Sequence, residues 1–212
     1  MPPKSSKSND EPAPEGMTKV SFRGIIGNPA SEHSTDRSVF AYIINFPSDL
    51  CRAPANGSQR FSPEESKAIT NYLRPLQRQL SLDHFARQTW ACIGCGEAAH
   101  LLDHHTVLGL YNFNNDDKWI GPNVLDYQVP LCSVDKEECV KKGVDIVADK
   151  LKETNIDIKD CVNAAGRCVV CGIEEGTKRC TGCKHVSYCS RDCQKSDWMF
   201  HKLACKPVVK AK

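Results

Sequence analysis

The chain has 212 residues, a quarter of them charged and 40% hydrophobic, with a net charge of +2 at neutral pH. That balance is ordinary for a globular protein and makes no electrostatic case for nucleic acid or a membrane surface. No apolar run approaches the roughly 20 residues of a membrane-spanning helix. The N-terminus lacks the apolar core of a secretory leader. Thirteen cysteines in such a chain favour metal over disulfides, and with it a reducing compartment, cytoplasm or nucleus.

Residues 1–16, MPPKSSKSNDEPAPEG, are proline, serine and charge, and are expected to form a disordered tail. Residues 17–160 read as a small mixed α+β domain. Thr18–Arg23 alternates and Ser38–Phe46 is β-branched and aromatic, so both are expected as strands around a polar loop. Ser62, Pro63 and Glu65 then announce a helix by cap, first-turn proline and capping-box glutamate. Ile69, Tyr72, Leu73 and Leu76 continue it at helical spacing. Pro75 predicts a kink or a fresh start, with a second helical piece through Arg87. Arg74, Arg78 and Arg87 read as an exposed charged face.

Cys92-x2-Cys95 is a metal-binding knuckle, and Cys132 and Cys139 follow it. Cys139 is expected near the start of a helix capped at Ser133 or Asp135, with Val140, Val144, Val147 and Leu151 as its buried stripe. Together the four cysteines offer a third structural zinc site, with His100, His104 or His105 as a substitute for one of them. Free thiols in a reduced core are the alternative. The order Cys92-x2-Cys95-Gly96, Asp103-His104-His105, Asn123 and Cys132 also loosely resembles an HNH-type nuclease. That resemblance implies a metal-dependent hydrolase in residues 92–139 using Asp103, His104 and Asn123. It departs from the pattern where six residues separate Cys132 from Cys139, and where Val140-Lys141-Lys142 replaces the expected histidine.

Residues 153–167 read as a linker ending in a small-residue hinge, Ala164-Ala165-Gly166. Cys51 and Cys161 belong to no ligand set. The last segment, residues 161–212, holds the densest signal. Cys168-x2-Cys171, Cys180-x2-Cys183, Cys189-x3-Cys193 and His201-x3-Cys205 supply eight soft donors, enough for two tetrahedral zinc sites. The four-residue intervals put Cys189 with Cys193, and His201 with Cys205, on one face of a helix that Ser190 can cap. Few apolar residues are available for a core: Val169, Val170, Ile173, Val186, Tyr188, Met199, Phe200 and Leu203. Metal therefore has to supply most of the stability.

This order of ligands resembles the MYND-type zinc finger, and Gly172, Tyr188, Gln194 and Asp197-Trp198 match its other hallmarks. The resemblance implies cross-bracing, with Cys168, Cys171, Cys189 and Cys193 on one zinc and Cys180, Cys183, His201 and Cys205 on the other. It also implies docking of proline-rich peptides, with Thr181, Gln194 and Trp198 touching the peptide. Some MYND fingers sit in SET-domain methyltransferases, but residues 17–167 hold neither an Asn-His-x-Cys motif nor a glycine-rich cofactor loop. Arg167 to Lys212 carries ten basic and four acidic residues and no basic stripe with interleaved aromatics, so nucleic acid is not an expected partner. The expected function is that of an adaptor, not an enzyme: a zinc-binding protein recruiting proline-rich segments of other proteins.

Overall fold

The computed structural model describes residues 12–31, 33, 35–51, 61–109, 122–133, 136–153, 162–163, 168, 170, 176–183 and 186–205. The two runs expected as strands form a long antiparallel hairpin, β1 (Met17–Gly27) and β2 (Arg37–Pro47), in register from Met17↔Pro47 to Gly27↔Arg37. The end of the expected tail is not loose: Pro14 and Gly16 carbonyls accept hydrogen bonds from Met17 and Ser48. Residues 1–11 lie outside the described residues.

A second hairpin, β3 (Leu101–Gly109) and β4 (Asn123–Leu131), joins the first through a parallel β1–β4 pairing that sets Ser21 against Asn123. The order is β2-β1-β4-β3, and β5 (Val162–Asn163) adds to the far edge against His105 and Thr106. The chain is therefore still in the sheet at residue 163. Residues 154–161 and 164–167, including Cys161 and the expected hinge, lie outside the described residues.

Alternation along the strands gives the sheet two buried faces. On one, Val20, Phe22, Phe40, Ile44, Phe46 and Val124 pack with Ile69 and Leu73 of α1 (Pro63–Phe85). On the other, Tyr127, Val129 and Leu131 pack with Val147 and Leu151 of α2 (Glu137–Lys152). Next to α2 the outer hairpin stays bare: Val39 is 54% and Ile43 49% exposed.

Three local expectations change. α1 runs as one helix through Pro75, with the full capping box at Ser62 and Glu65. Pro75 lies on the exposed side, where water can satisfy the Asn71 carbonyl whose helical donor the proline ring removes. α2 starts later than either expected cap, with Lys136 at the N-cap and no side-chain capping bond. Its buried line is Cys139, Gly143, Val147 and Leu151, while Val140 and Val144 are only half-buried at its flank.

The C-terminal segment contains a two-residue hairpin, β6 (Lys178–Arg179) and β7 (Ser187–Tyr188), and α3 (Arg191–Ala204). Its buried apolar cluster is Cys180, Cys183, Val186 and Tyr188, half of it cysteine. Val169 and Ile173, expected there too, lie outside the described residues.

Candidate metal centres and interaction face

Among the described residues the fold gathers thiols and imidazole into three groups whose donor atoms lie within 4.8 Å of one another: Cys92, Cys95, Cys132 and Cys139; Cys180, Cys183, His201 and Cys205; and Cys168, Cys189 and Cys193. Cys171, expected as fourth member of the last, lies outside the described residues. A tetrahedral zinc with sulfur at about 2.3 Å sets its sulfurs about 3.8 Å apart, whereas a disulfide needs about 2 Å. The sulfurs of Cys95 and Cys132 are 3.6 Å apart, Cys132 and Cys139 4.0 Å, Cys180 and Cys205 3.8 Å, and Cys189 and Cys193 3.6 Å. His201 Nε2 stands 3.4 Å from Cys183 Sγ and 3.2 Å from Cys180 Sγ. These are the edges of tetrahedra of soft donors, the set that selects zinc.

The groups of Cys92 and Cys180 are each built by a tight turn meeting a helix end. In the first, the Gly96 amide folds back on the Cys92 carbonyl at 2.9 Å, and Gly96 takes φ +77°. Gly94 lies against the first turn of α2, where a Cβ would sit 2.5 Å from Cys139 Cα. In the C-terminal segment, Ser190 Oγ caps α3 by accepting from the Cys193 amide. Cys189 consequently precedes the helix instead of sharing its face with Cys193. His201 is held on the inner face between the ring edges of Tyr188 and Trp198, each with its centroid 6.0 Å away.

The thiols are electrostatically frustrated without a cation. Burial opposes ionisation of Cys92, but the Cys95, Cys132 and Gly94 amides overcome it and bring the thiol down to about 7. Burial and the neighbouring Cys95 and Cys92 push Cys132 up to about 12, and burial and Cys180 do the same to Cys205. A metal ligand has to be a thiolate, and a dication among these sulfurs would offset both their burial and their mutual repulsion.

Among the described residues His100, His104 and His105 join none of these groups. Asp103 and His104, adjacent on β3, point to opposite faces. Asp103 Oδ2 lies 3.1 Å from His105 Nε2, both buried, while His104 Nδ1 meets the buried Asp126 at 2.8 Å. Asp126 also accepts from Thr106 and Gln128. Asn123 pairs with Gly109 and Asp103 with Val129, about 20 Å apart at strand rise. The nuclease constellation is thus not assembled: the hairpin register separates its members.

The arginines of α1 correct another expectation. Arg74 is buried, only 6% exposed, and donates to the Cys168 carbonyl at 2.9 Å. One turn on, Arg78 pairs with the buried Asp197 of α3, which also accepts from the Tyr188 hydroxyl. Burial and Asp197 hold that hydroxyl protonated far above its usual range. The helix of the sheet domain is therefore bonded to the backbone of one metal group and to the helix carrying another. Nothing near residue 74 or 78 signals a partner some hundred residues away.

α3 has two sides. Asp197 and His201 face inward, whereas Arg191, Lys195, Trp198 and Lys202 are exposed, Trp198 by 48%. Thr181 is exposed and Gln194 half-buried. Spacings of four, three and four residues bring Arg191, Lys195, Trp198 and Lys202 into about 60° of helical arc. A basic stripe around an aromatic does exist, contrary to the linear reading, because only the helix aligns it.

Residues 168–205 match the model of the MYND finger family. Over 62 residues the chain is 44% identical to the SET domain and MYND-type zinc finger protein 6 of Schizosaccharomyces pombe, covering 29% of this chain and 13% of that protein. It is 55% identical over 38 residues to Dauer abnormal formation protein 25 of Caenorhabditis elegans, 18% of this chain and 10% of that protein. It is 52% identical over 46 residues to ubiquitin carboxyl-terminal hydrolase 19 of Arabidopsis thaliana, 21% and 7%. The chain thus spans about a tenth of the curated relatives it matches, and their names describe unlike proteins. No solved structure matches. The C-terminal segment is a MYND finger, a zinc-binding protein-interaction module, and no helix among the described residues is long and apolar enough to cross a membrane.

Proposed function

We propose that the protein is a non-catalytic adaptor in the cytoplasm or nucleus, braced by three structural zincs, whose finger recruits partners through proline-rich segments. Cys168, Cys171, Cys189 and Cys193 hold one ion, Cys180, Cys183, His201 and Cys205 the second, and Cys92, Cys95, Cys132 and Cys139 the third. Four protein donors on an ion leave no position for substrate or activated water, which favours binding over catalysis. Trp198 carries the docking reading: a tryptophan half exposed on a helix whose inner face is fixed to metal donors is a rigid aromatic platform. A polyproline segment, with little conformational entropy left to lose, suits such a platform. Gln194 and Thr181 flank it as hydrogen-bonding groups.

Native mass spectrometry is expected to count three zincs per chain, and two in Cys92→Ser. A count unchanged by Cys92→Ser would reduce the N-terminal group to core thiols. Trp198→Ala, with zinc content intact, is expected to weaken capture of a proline-rich peptide at least about tenfold. Undiminished capture would remove the platform.

A further inference from the structure

We propose that the partner segment read by this finger is acidic as well as proline-bearing, because the platform around Trp198 is cationic. This rests on the docking reading above and adds the chemistry of the ligand's flanks. Arg191, Lys195 and Lys202 share the exposed face of α3 with Trp198, two of them N-terminal to it and one C-terminal. Among the described residues no carboxylate pairs with any of the three, although six other ion pairs there, four with lysine and two with histidine, are held within 3.1 Å. The inner acid of the helix, Asp197, is buried against Arg78 and Tyr188 and cannot neutralise the outer face. Asp192 is exposed and stands three residues before Lys195, a neighbouring position on the helix, but no ion pair joins the two.

Dimensions agree with a short peptide. From residue 191 to 202 α3 rises about 16 Å, the length of about five residues of polyproline II. A core of that length seated across Trp198 places its flanking residues beside Arg191 and Lys195 at one end and Lys202 at the other. Carboxylates there meet three cations, while lysines would meet like charge. Electrostatic complementarity of this kind sets specificity and encounter rate. Three cations and one aromatic are a small footprint for nucleic acid, whose binding draws on many phosphate contacts.

The test uses the zinc-loaded full chain and three fluorescent pentaproline peptides, flanked on each side by two glutamates, two serines or two lysines. Anisotropy at low salt is expected to rank glutamate first and lysine last, about tenfold apart, with the gap closing as salt is raised. The double variant Lys195→Glu, Lys202→Glu, checked for full zinc content, is expected to reverse the ranking and leave the serine-flanked peptide within about twofold. Three equal affinities that all depend on Trp198 would overturn the charge inference and leave the docking reading standing. No binding of any peptide would overturn both. A single-stranded oligonucleotide that binds more tightly than the glutamate-flanked peptide, and is lost in the double variant, would give this face to nucleic acid instead.

Discussion

The sheet domain and the finger reach stability by different means. In the sheet, Phe22, Phe46, Ile69, Leu73 and their neighbours are fully buried around a contiguous apolar core. Among the described residues of the finger the buried apolar cluster is two cysteines, one valine and one tyrosine. The first can fold by removing hydrocarbon from water. The second is expected to depend on its ions, each contributing on the order of 10 kcal/mol in comparable small zinc modules. Between them lies a polar seam, Arg74 and Arg78 against Cys168 and Asp197.

Stripping the metal gives the largest test of that contrast. A strong chelator at neutral pH is expected to unfold the finger, seen as loss of α3 helicity and a shift in Trp198 emission, while the sheet keeps its far-ultraviolet signature. Simultaneous collapse of both would mean that the sheet also depends on zinc. Next in size, Arg78→Ala leaves a buried carboxylate short of its cation. Because Arg78 is partly solvent-exposed and Tyr188 still serves Asp197, a loss of about 2–3 kcal/mol is expected, below that of a fully buried pair. It should appear as faster zinc loss from the finger with the sheet's melting unchanged. An equal loss in both would show that the seam couples them tightly.

The smallest effect belongs to the N-terminal metal group. Gly94→Ala drives a methyl into Cys139 at the start of α2 and is expected to cost about 1–3 kcal/mol, with one zinc fewer per chain at limiting metal. Gly96→Ala meets open space but must hold φ +77°, at a cost of about 1–2 kcal/mol with the zinc retained. If the two variants behave alike, backbone conformation and not the close approach governs the site.

What could be read from the residues divides along the same line. Local chemistry was legible: the capping box at Ser62, the alternation of β1 and β2, and ligand intervals short enough to chelate. Cys132 and Cys139 could be matched to Cys92 and Cys95 because a thiol group short of donors is chemically incomplete. Long-range placement carried no such signal. Arg74 and Arg78 look like any surface arginines until Asp197 and Cys168 are beside them. His104 sits next to Asp103 in sequence, yet its partner is Asp126, because strand alternation sends neighbours to opposite faces. Pro75 marks no fresh start, since α1 runs on through it, and its solvent-side position lets water serve the carbonyl left without a donor. The cationic face of α3 was hidden by arithmetic: residues four, three and four apart are scattered on a line and aligned on a helix.

The parallel contact between β1 and β4 bears on how the protein is born. It joins residues about a hundred positions apart, Ser21 with Asn123, so the inner strand of the first hairpin waits for the second hairpin to be synthesised. Until then Phe22 and Phe40 can pack on α1 but not on Val124, and the inner edge of β1 has no partner strand. Closing so long a loop is entropically slow, and nascent chains in that state are the kind chaperones hold. An amino-terminal fragment that ends before Asn123 therefore leaves one edge of β1 without the strand it pairs with in the finished sheet.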